Sequence, residues 1–392
     1  MRRYLPEKID IDKLINDAEA SHIKGFHSDY LLWILSEIAE KPTQTSGYVE
    51  IHSKHLQSFV HNYKDYLDRL NASGIIELDQ SFSHELYSKV RGYKFADEYS
   101  TTLTGVDINY LPIVKKLSRA KEMKLQSCRN NKHLLRWFNS NLTIDSDNAI
   151  HYLAVYHSEK KKEVERLAKQ AYIIKNTWFD DYSEKCLALQ QCEYKDPYES
   201  YRRAFIAVDR IKEHDYHLST DSTVNRFHST ITQMPSDFRN FINYDGEELD
   251  LTYPSRKALK MEFFRVLYSS NKFLGQLEAA PKRVFQKLFP GIFEYFSQMK
   301  RLHPDNIPIL LMRWESHAVL QCITKRISKE HPKVPLFTIH DGIATTRENV
   351  DLVKSIICEE LENLTGYAPM LKYESWNQKN LKYYDKWRYN QT

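Results

Sequence analysis

Hydrophobic positions near the amino end recur at helical spacing and then change to short alternating runs. Within residues 54–70 the apolar side chains that keep the helical spacing are Leu56, Phe59, Val60, Tyr63, Leu67 and Leu70. Gly74 follows where a glycine commonly ends a helix, and residues 75–99 predict two short strands around a polar turn. The order of helix, glycine turn and basic hairpin predicts a winged helix-turn-helix over residues 1–108. The alternative is a small α+β module that only packs on the rest of the chain.

Residues 109–218 keep a helical pattern almost throughout and alternate basic with aromatic side chains. The run HYLAVYHSEKKKEVERLAKQAYIIKNTWF carries Lys160 to Lys162 and Arg166 on a predicted helix. Such a helix could follow a phosphate backbone, with these cations as contacts. A solvated charged face is the other interpretation of the same run.

The stretch VPLFTIHDGIATT, residues 334–346, predicts a β-hairpin near the carboxyl end. Residues 336–340 form the first strand, Gly342 supplies a tight turn, and the following run predicts a returning strand. His340 and Asp341 would then lie at the tip, where an ionisable pair can face a shared cleft. Asp-Gly is also the commonest signal for a plain solvated hairpin turn, so both interpretations stay open.

Composition places this 392-residue chain among globular proteins, with room for two or three domains and a sizeable core. The formal charge is only +4, from 56 basic and 52 acidic side chains, so any nucleic-acid contact has to come from local basic patches. The five scattered cysteines lack metal-site spacing and favour a reducing compartment. The sequence contains neither a long apolar run nor a signal-peptide core, so we expect a cytoplasmic protein that does not enter a membrane.

The stretch SRKALKMEFFRVLYSSN, residues 255–271, carries the most specific pattern in the chain. Arg256, Lys260, Phe264 and Tyr268 recur every four residues, and Ser255 is a suitable N-cap for a helix. On a helix these positions form one stripe about 18 Å long. Two cations can neutralise a triphosphate, and two aromatic rings can contact a base and sugar. The alternative is an amphipathic helix with aromatic residues in the core and cations at the surface.

This Arg-x3-Lys-x3-Phe-x3-Tyr pattern resembles the fingers-helix signature of family A DNA polymerases, of which single-subunit phage RNA polymerases carry a variant. Upstream, NRFHSTITQMPSDFRNFI resembles the segment that leads into the palm. Downstream, the region from MRWESHAVL to HDGIATT resembles the palm helix and the catalytic hairpin called motif C. The end of the chain resembles the closing helix, strand and tryptophan-containing turn of the family. The resemblance covers about residues 219–381.

The resemblance implies an α+β fold with mostly helical amino-terminal and middle regions, followed by a right-hand polymerase palm. In this division residues 1–108 are winged-helix-like, residues 109–218 are a helical thumb-like region, and residues 219–392 are the palm and fingers. The implied partners are a DNA template and primer and nucleoside triphosphates, without a membrane, and we expect a monomer from a phage or mobile element. The residues implied or predicted to contact template and primer are Arg226, Gln233, Arg239, Lys89 and Arg91.

In the family, the motif C aspartate binds catalytic metal at the primer terminus, so Asp341 would be that carboxylate and His340 would lie beside the primer end. The chemistry uses two divalent ions, and carboxylate oxygens favour Mg²⁺, for which Mn²⁺ can substitute. Gly342 stands where the family usually has Glu or Ser. Its loss of a polar group affects tuning of the site more than metal binding.

The family places a second metal-binding aspartate in a motif A strand, and here the sequence departs from the pattern. Only 16 residues separate Arg239 from Arg256. Asp250 is the best candidate for the second carboxylate and Asp245 the next. The sequence slightly favours a missing segment, because residues 249–254 do not form an apolar strand around Asp250.

Three functions follow from these residues. The first is a family A type DNA polymerase, and the second is a single-subunit RNA polymerase. Phe264 favours deoxynucleotides, because the RNA enzymes more often lack an aromatic residue there. The third is a DNA-binding replication protein that retains a polymerase-derived scaffold without catalysis, which the short motif A region favours.

Overall fold

A computed structural model describes residues 1–20, 23–44, 47–79, 91–99, 102–177, 185, 189, 192, 197–254, 280–302 and 306–389. Within these ranges the protein is an α+β fold whose strands pair in antiparallel fashion, which confirms the predicted α+β class with an antiparallel sheet. None of the helices in the described ranges is long and apolar enough to cross a membrane.

The amino-terminal unit contains one two-stranded and one three-stranded sheet. Its elements are β1 (Arg2–Pro6), α1 (Ile11–Ala20), α2 (Ser28–Glu40), β2 (Val49–Ile51), α3 (Ser53–Phe59), α4 (Tyr63–Ala72), β3 (Ile76–Leu78), β4 (Arg91–Phe95) and β5 (Leu103–Asp107). Strand β1 pairs with β5, and β4 lies between β2 and β3. A helix, a strand, two helices and two further strands therefore follow one another from α2 to β4.

The single helix predicted over residues 54–70 is two helices, and the prediction of one helix is wrong. Val60 is extended between α3 and α4, with φ −127° and ψ 108°, and its N–H donates to Leu56. Lys116 donates from its Nζ to the carbonyl oxygens of Ser58 and Phe59, at 2.7 and 3.1 Å. These bonds satisfy carbonyl groups that the end of α3 leaves open. The break converts one amphipathic run into a helix-turn-helix.

The middle region is mainly helical. It contains α5 (Leu111–Ser127), α6 (Lys132–Leu135), β6 (Leu142–Ile144), α7 (Ser146–Asn176) and α8 (Pro197–Lys212). Strand β6 pairs with β9 of the carboxyl-terminal region, at Ile144 opposite Ile242. The middle region thus contributes a strand to the central sheet, across the boundary predicted at residue 218.

The carboxyl-terminal region supplies the rest of the central sheet and the helices packed against it. Its elements are β7 (Leu218–Thr220), β8 (Phe227–Ser229), α9 (Thr230–Gln233), β9 (Ile242–Tyr244), β10 (Glu247–Pro254), α10 (Ala280–Leu288), α11 (Pro290–Leu302), α12 (Asn306–His317), α13 (Thr324–Glu330), β11 (Phe337–Ile339), β12 (Gly342–Thr346), α14 (Val350–Thr365), β13 (Leu371–Ser375) and α15 (Tyr384–Tyr389). A π-helical turn, Ala318–Ile323, joins α12 to α13.

Strand β10 lies in the middle of this six-stranded sheet, with β12 on one side and β9 and β13 on the other. The expectation that residues 249–254 form no strand is therefore wrong. The strand lacks an apolar run because it buries polar residues: Asp250 is 3% exposed and Thr252 is 0% exposed. Neighbouring strands on both sides satisfy its backbone, so strand formation does not need an apolar pattern.

The two faces of the sheet differ in chemistry. Alternation along the strands puts Leu251, Ala344 and Phe337 on one face, where the Phe337 ring contacts Phe138 and Tyr244. The opposite face, here called the threonine face, carries Asp250, Thr252, Thr338 and Thr345. Helix α14 packs over the threonine face, because its Lys354 lies 4.3 Å from the ring of Tyr373, which pairs with Thr252.

Candidate active site and nucleic-acid interface

The predicted hairpin is formed by β11 and β12, with His340 and Asp341 as its two turn residues. Ile339 pairs with Gly342, which closes the turn. His340 has φ 54°, in the left-handed region that histidine adopts more readily than most side chains. A two-residue hairpin needs a positive φ at its first turn position, so His340 occupies that position at modest cost.

Gly342 is required by a close approach of β10 to the hairpin. A Cβ atom on Gly342 would lie 2.9 Å from Leu251 Cδ1 and 3.2 Å from both the Thr252 carbonyl oxygen and Tyr253 Cβ. A larger side chain at this position would therefore require Leu251 to change its side-chain conformation and the backbone of β10 at Thr252 to move by a few tenths of an ångström.

Two of the predicted template or primer residues lie near the hairpin tip. Burial lowers the pKa of His340, and the positive charges of Arg226 and Arg239 lower it further, whereas the Asp341 carboxylate acts in the opposite direction. His228 adds to the same effect. Arg226 and Arg239 therefore both lie within electrostatic range of His340, next to Asp341, and Arg226, Arg239 and His340 are here called the basic group.

Arg226 is anchored at both its backbone and its side chain. Its N–H donates to Asp221 at 2.9 Å, and its NH2 group donates to Glu315 at 2.9 Å. Its Nε is buried and has no hydrogen-bond partner among the residues that the structure describes. The guanidinium thus keeps one donor available.

Arg239 is held by backbone oxygens and not by a carboxylate. Its Nε and NH2 groups donate to the carbonyl oxygens of Ile231 and Met234, at 3.2 and 3.1 Å. Burial lowers its pKa to about 10, and the charge of Glu374 opposes that shift. The guanidinium is still charged at neutral pH, and its preference for an anion follows from burial without a close counter-ion.

Gln233 lies apart from this group. Its carbonyl oxygen accepts a bond from Arg203 at 3.4 Å, and it lines a cavity against the amino-terminal unit. The structure therefore brings Arg226 and Arg239 to the hairpin but not Gln233.

The structure does not bring Asp250 to Asp341. Asp250 pairs with Thr345, four residues from Asp341, which corresponds to about 13 Å along a strand. Its side chain points to the threonine face, where Oδ2 lies 3.6 Å from the Nε of Arg347 and Oδ1 has no partner among the described residues. Asp245 lies still farther from the hairpin, in the turn between β9 and β10.

The candidate metal site is therefore not complete in the described ranges. No group of three His, Cys, Asp or Glu side chains there could hold a metal ion. One carboxylate holds Mg²⁺ weakly, because this ion gives up its waters reluctantly. The residues present at the hairpin do not form a Mg²⁺ site by themselves.

Several predicted residues lie outside the described ranges. These are Arg256, Lys260, Phe264 and Tyr268, within residues 255–279, and Lys89, within residues 80–90. Pro254 is the last described residue before residues 255–279, and its neighbour Tyr253 lies close to Gly342, where an added Cβ atom would be 3.2 Å from Tyr253 Cβ. Arg91 is exposed at the start of β4.

Sequence reasoning missed Asp221, His228 and Glu315, which hold the basic group in place. Asp221 accepts bonds from the backbone N–H groups of Thr223, Val224 and Arg226 and lies 3.3 Å from the His228 ring. A signal was present in the run NRFHS, where Arg226 and His228 flank the buried Phe227 with the period of a strand.

A polar cavity of about 690 Å³ adjoins Asp221. Its lining includes Arg129, Arg313, Asn131 and Gln321, and Arg313 donates from Nε to the Thr223 carbonyl oxygen. Arginines and amides of this kind contact phosphate and sugar oxygens. Through Asp221, which binds the backbone of Arg226, the cavity extends the polar surface next to the basic group.

No protein-family model and no curated protein matches this chain. Among solved structures, the chain is similar to the POL domain of Pol1 from M. smegmatis, in complex with DNA primer-template and dNTP. The TM-score is 0.31 at 11% identity, over 68% of this chain and 73% of that chain. So low a TM-score does not establish a common fold, and function has to be argued from the residues of the site.

Proposed function

We propose that the chain catalyses template-directed nucleotidyl transfer as a DNA polymerase of the family A type. The observation that carries the proposal is the close approach of Tyr253, next to Pro254, to Gly342, which follows Asp341 in the hairpin. The chain continues from Pro254 into the Arg256, Lys260, Phe264 and Tyr268 pattern, so a carboxylate and the predicted nucleotide-binding segment start from the same end of β10.

The basic group near the hairpin suits nucleic acid. Arg239 is bonded to backbone oxygens and Arg226 to a single carboxylate, Glu315, and guanidinium groups bind phosphate oxygens through charged hydrogen bonds. Phosphoryl transfer depends mainly on positioning and on electrostatic stabilisation of developing charge. Asp341 would provide the carboxylate for Mg²⁺ or Mn²⁺, and the second carboxylate has to come from a residue other than Asp250 in its present position.

The amino-terminal unit would contact duplex DNA as a winged helix. The support is the order of α2, β2, α3, α4, β3 and β4, with β4 central in its sheet and a helix-turn-helix at α3 and α4. Its exposed face is not strongly basic, since Lys64 is accompanied by Asp65 and Asp68 on α4. Contact through Arg91 on β4 is therefore favoured over contact through α4.

A second function is a DNA-binding replication protein without catalysis. The separation of Asp250 from Asp341 favours it, because two carboxylates that share metal ions about 4 Å apart must lie close together. Both functions predict DNA binding, and they differ in nucleotide incorporation.

A primer-extension assay tests the proposal directly. A labelled primer annealed to a longer template is incubated with the full chain, Mg²⁺ or Mn²⁺, and either deoxynucleotides or ribonucleotides. The DNA polymerase is supported if the chain extends the primer with deoxynucleotides and Asp341→Asn abolishes this extension. The variant should still shift the mobility of the DNA as the unmodified chain does. Extension with ribonucleotides alone assigns an RNA polymerase, and a mobility shift without extension under all four conditions assigns the non-catalytic function.

A further inference from the structure

A second cavity lies between the amino-terminal unit and the middle region. The cavity has a volume of about 740 Å³ and is bounded by α2, α3, α5, α8 and α9. It has three acidic lining residues, Glu37, Glu40 and Glu199, and six basic ones: Arg3, Lys41, Lys124, Arg202, Arg203 and Arg210. This excess of positive charge lines a partly open recess, in which Lys124 and Arg203 are exposed.

The two glutamates of α2 neutralise only part of this charge. Glu40 lies 2.9 Å from Arg3 and 3.1 Å from Arg210, and Glu37 lies 3.2 Å from Lys41. Among the described residues Lys124 forms no ion pair with a carboxylate, although its amine lines the cavity. Lys124 is therefore a cation of the cavity without a close counter-charge in the described structure.

The contacts of His217 show how crowded the positive groups are. Lys124 Nζ lies 2.6 Å from His217 Nε2, and Arg210 Nη1 lies 3.0 Å from His217 Nδ1. A neutral imidazole accepts at only one nitrogen, and Arg210 can only donate, so Nδ1 accepts and Nε2–H faces Lys124. A charged Lys124 can only donate, so two donors face each other in this contact, which is unfavourable for the protonated amine.

The same crowding of positive charge lowers the pKa values of both Lys124 and His217. Burial lowers the pKa of Lys124, and the charges of Arg210 and Arg3 lower it further, while Glu37 and Glu40 oppose the shift. Burial lowers the pKa of His217 to about 3, and Arg210 and Lys124 act in the same direction. An anion in the cavity would reverse this balance, because an opposite charge within a few ångströms favours the protonated amine.

We propose that this cavity binds a phosphorylated small molecule of nucleotide size, with Lys124, Arg202 and Arg203 around its phosphate groups. The volume lies in the range of small-molecule sites, which are usually apolar with a few polar groups. Phe59, Leu117 and Ile206 supply an apolar wall for a ring, and Thr230 and Gln233 supply polar atoms. The site goes beyond the proposed function and does not depend on it, because Asp341 and Arg226 are not part of its lining.

The test is calorimetric titration of the full chain with ADP, in EDTA and without DNA, so that a metal-dependent polymerase site does not contribute. Lys124→Met is expected to weaken ADP binding at least tenfold. The matched control is Lys115→Met, which removes the same charge from the same helix at an exposed position outside the cavity. Equal affinity of the unmodified chain and Lys124→Met, or an equal loss in Lys115→Met, overturns the site.

A further arm identifies the ligand. Adenosine should not bind, and pyrophosphate should bind more weakly than ADP; equal affinity for pyrophosphate overturns the nucleotide-sized ligand. Where Lys124→Met does not fold, as judged by circular dichroism, Arg203→Met takes its place with the same expected loss. Asp341→Asn should bind ADP as the unmodified chain does, so failure of this site and failure of the polymerase are distinguishable.

Discussion

Asp250 pairs with Thr345 in the central sheet, and its carboxylate lies 3.6 Å from the guanidinium of Arg347. The acid is buried whereas Arg347 is 63% exposed, so the two partners respond differently to removal. Arg347 is the ion-pair partner that the described structure gives to Asp250.

Asp250→Asn is expected to leave primer extension within about threefold of the unmodified chain, if extension occurs at all, and to change stability little. Arg347→Gln should cost more unfolding free energy, because it leaves a buried charge uncompensated. Chemical denaturation of both variants and of the double variant tests this order, and the double variant should recover part of the loss. Loss of extension in Asp250→Asn at unchanged stability would contradict the prediction and would indicate that Asp250 is a metal ligand.

The hydroxyl groups of Thr252, Thr338 and Thr345 are buried without a partner among the described residues. Valine has nearly the same shape and removes the unpaired hydroxyl, so each Thr→Val change on the threonine face should raise stability by about 1 kcal/mol. Thr324→Val is the control, because the Thr324 hydroxyl contacts His133 at 2.9 Å and donates to Leu320 at 3.0 Å. It should lose about 1–2 kcal/mol. A similar loss in all four variants would mean that the three threonines have partners.

Gly342→Ala should destabilise the sheet by about 1–3 kcal/mol, because the added methyl group overlaps Leu251 and the Thr252 carbonyl oxygen. Gly291→Ala on α11 is the matched control, since its Cβ would meet no atom within 4 Å. That change should stabilise by a few tenths to about 1 kcal/mol through helix propensity. Thermal or urea unfolding measures both, and equal effects would contradict the close approach of β10.

His133 should make the protein less stable at acid pH. Burial lowers its pKa to about 4, and Lys325 and Arg136 act in the same direction, while its ordinary value is about 6.5. The neutral form is favoured in the folded state, so this stability is present above pH 6.5 and is lost as pH falls towards 4. The slope of the unfolding free energy against pH reports the number of protons taken up on unfolding. His133→Gln should reduce that number by close to one in this pH window. An unchanged slope would mean that His133 titrates normally.

Arg91→Gln should weaken DNA binding similarly for all sequences and reduce the slope of log affinity against log salt by about 1, because one phosphate contact is lost. Lys13→Gln on α1 removes an exposed cation from another element and is the control. Fluorescence anisotropy of a labelled duplex at several salt concentrations gives both slopes. Equal slopes for the two variants would place the DNA contact elsewhere.

The sequence predicted the hairpin because its signal is local: an apolar run, a two-residue turn and Gly342 all lie within a few residues. It missed the break at Val60 because Leu56, Val60 and Tyr63 are all buried, which keeps the helical period across the turn. Strand β10 was missed for a different reason. Its polar residues are buried by β12, β13 and α14, and partners so distant in the chain leave no periodic signal.

The position of Asp250 relative to Asp341 also could not come from sequence. The order of the motifs along the chain made Asp250 a candidate to bind metal together with Asp341. Which residues lie opposite each other, however, is decided by the strand register. A shift of four positions in register separates the two carboxylates without changing any motif. The basic group near His340 was partly predicted, because Arg226 and Arg239 lie in one recognisable stretch, whereas Glu315 reaches Arg226 across 89 residues.

The central location of β10 also governs how the chain can be made. During synthesis β10 can pair at once with β9, but its other partners, β12 and β13, emerge roughly a hundred residues later. At typical rates of synthesis that delay is on the order of ten seconds. The amino-terminal unit, which closes when β5 reaches β1, can fold before β10 emerges, whereas an edge of β10 stays unpaired until β12 and β13 arrive. Protection of β10 in the growing chain is therefore a requirement for efficient production of this fold.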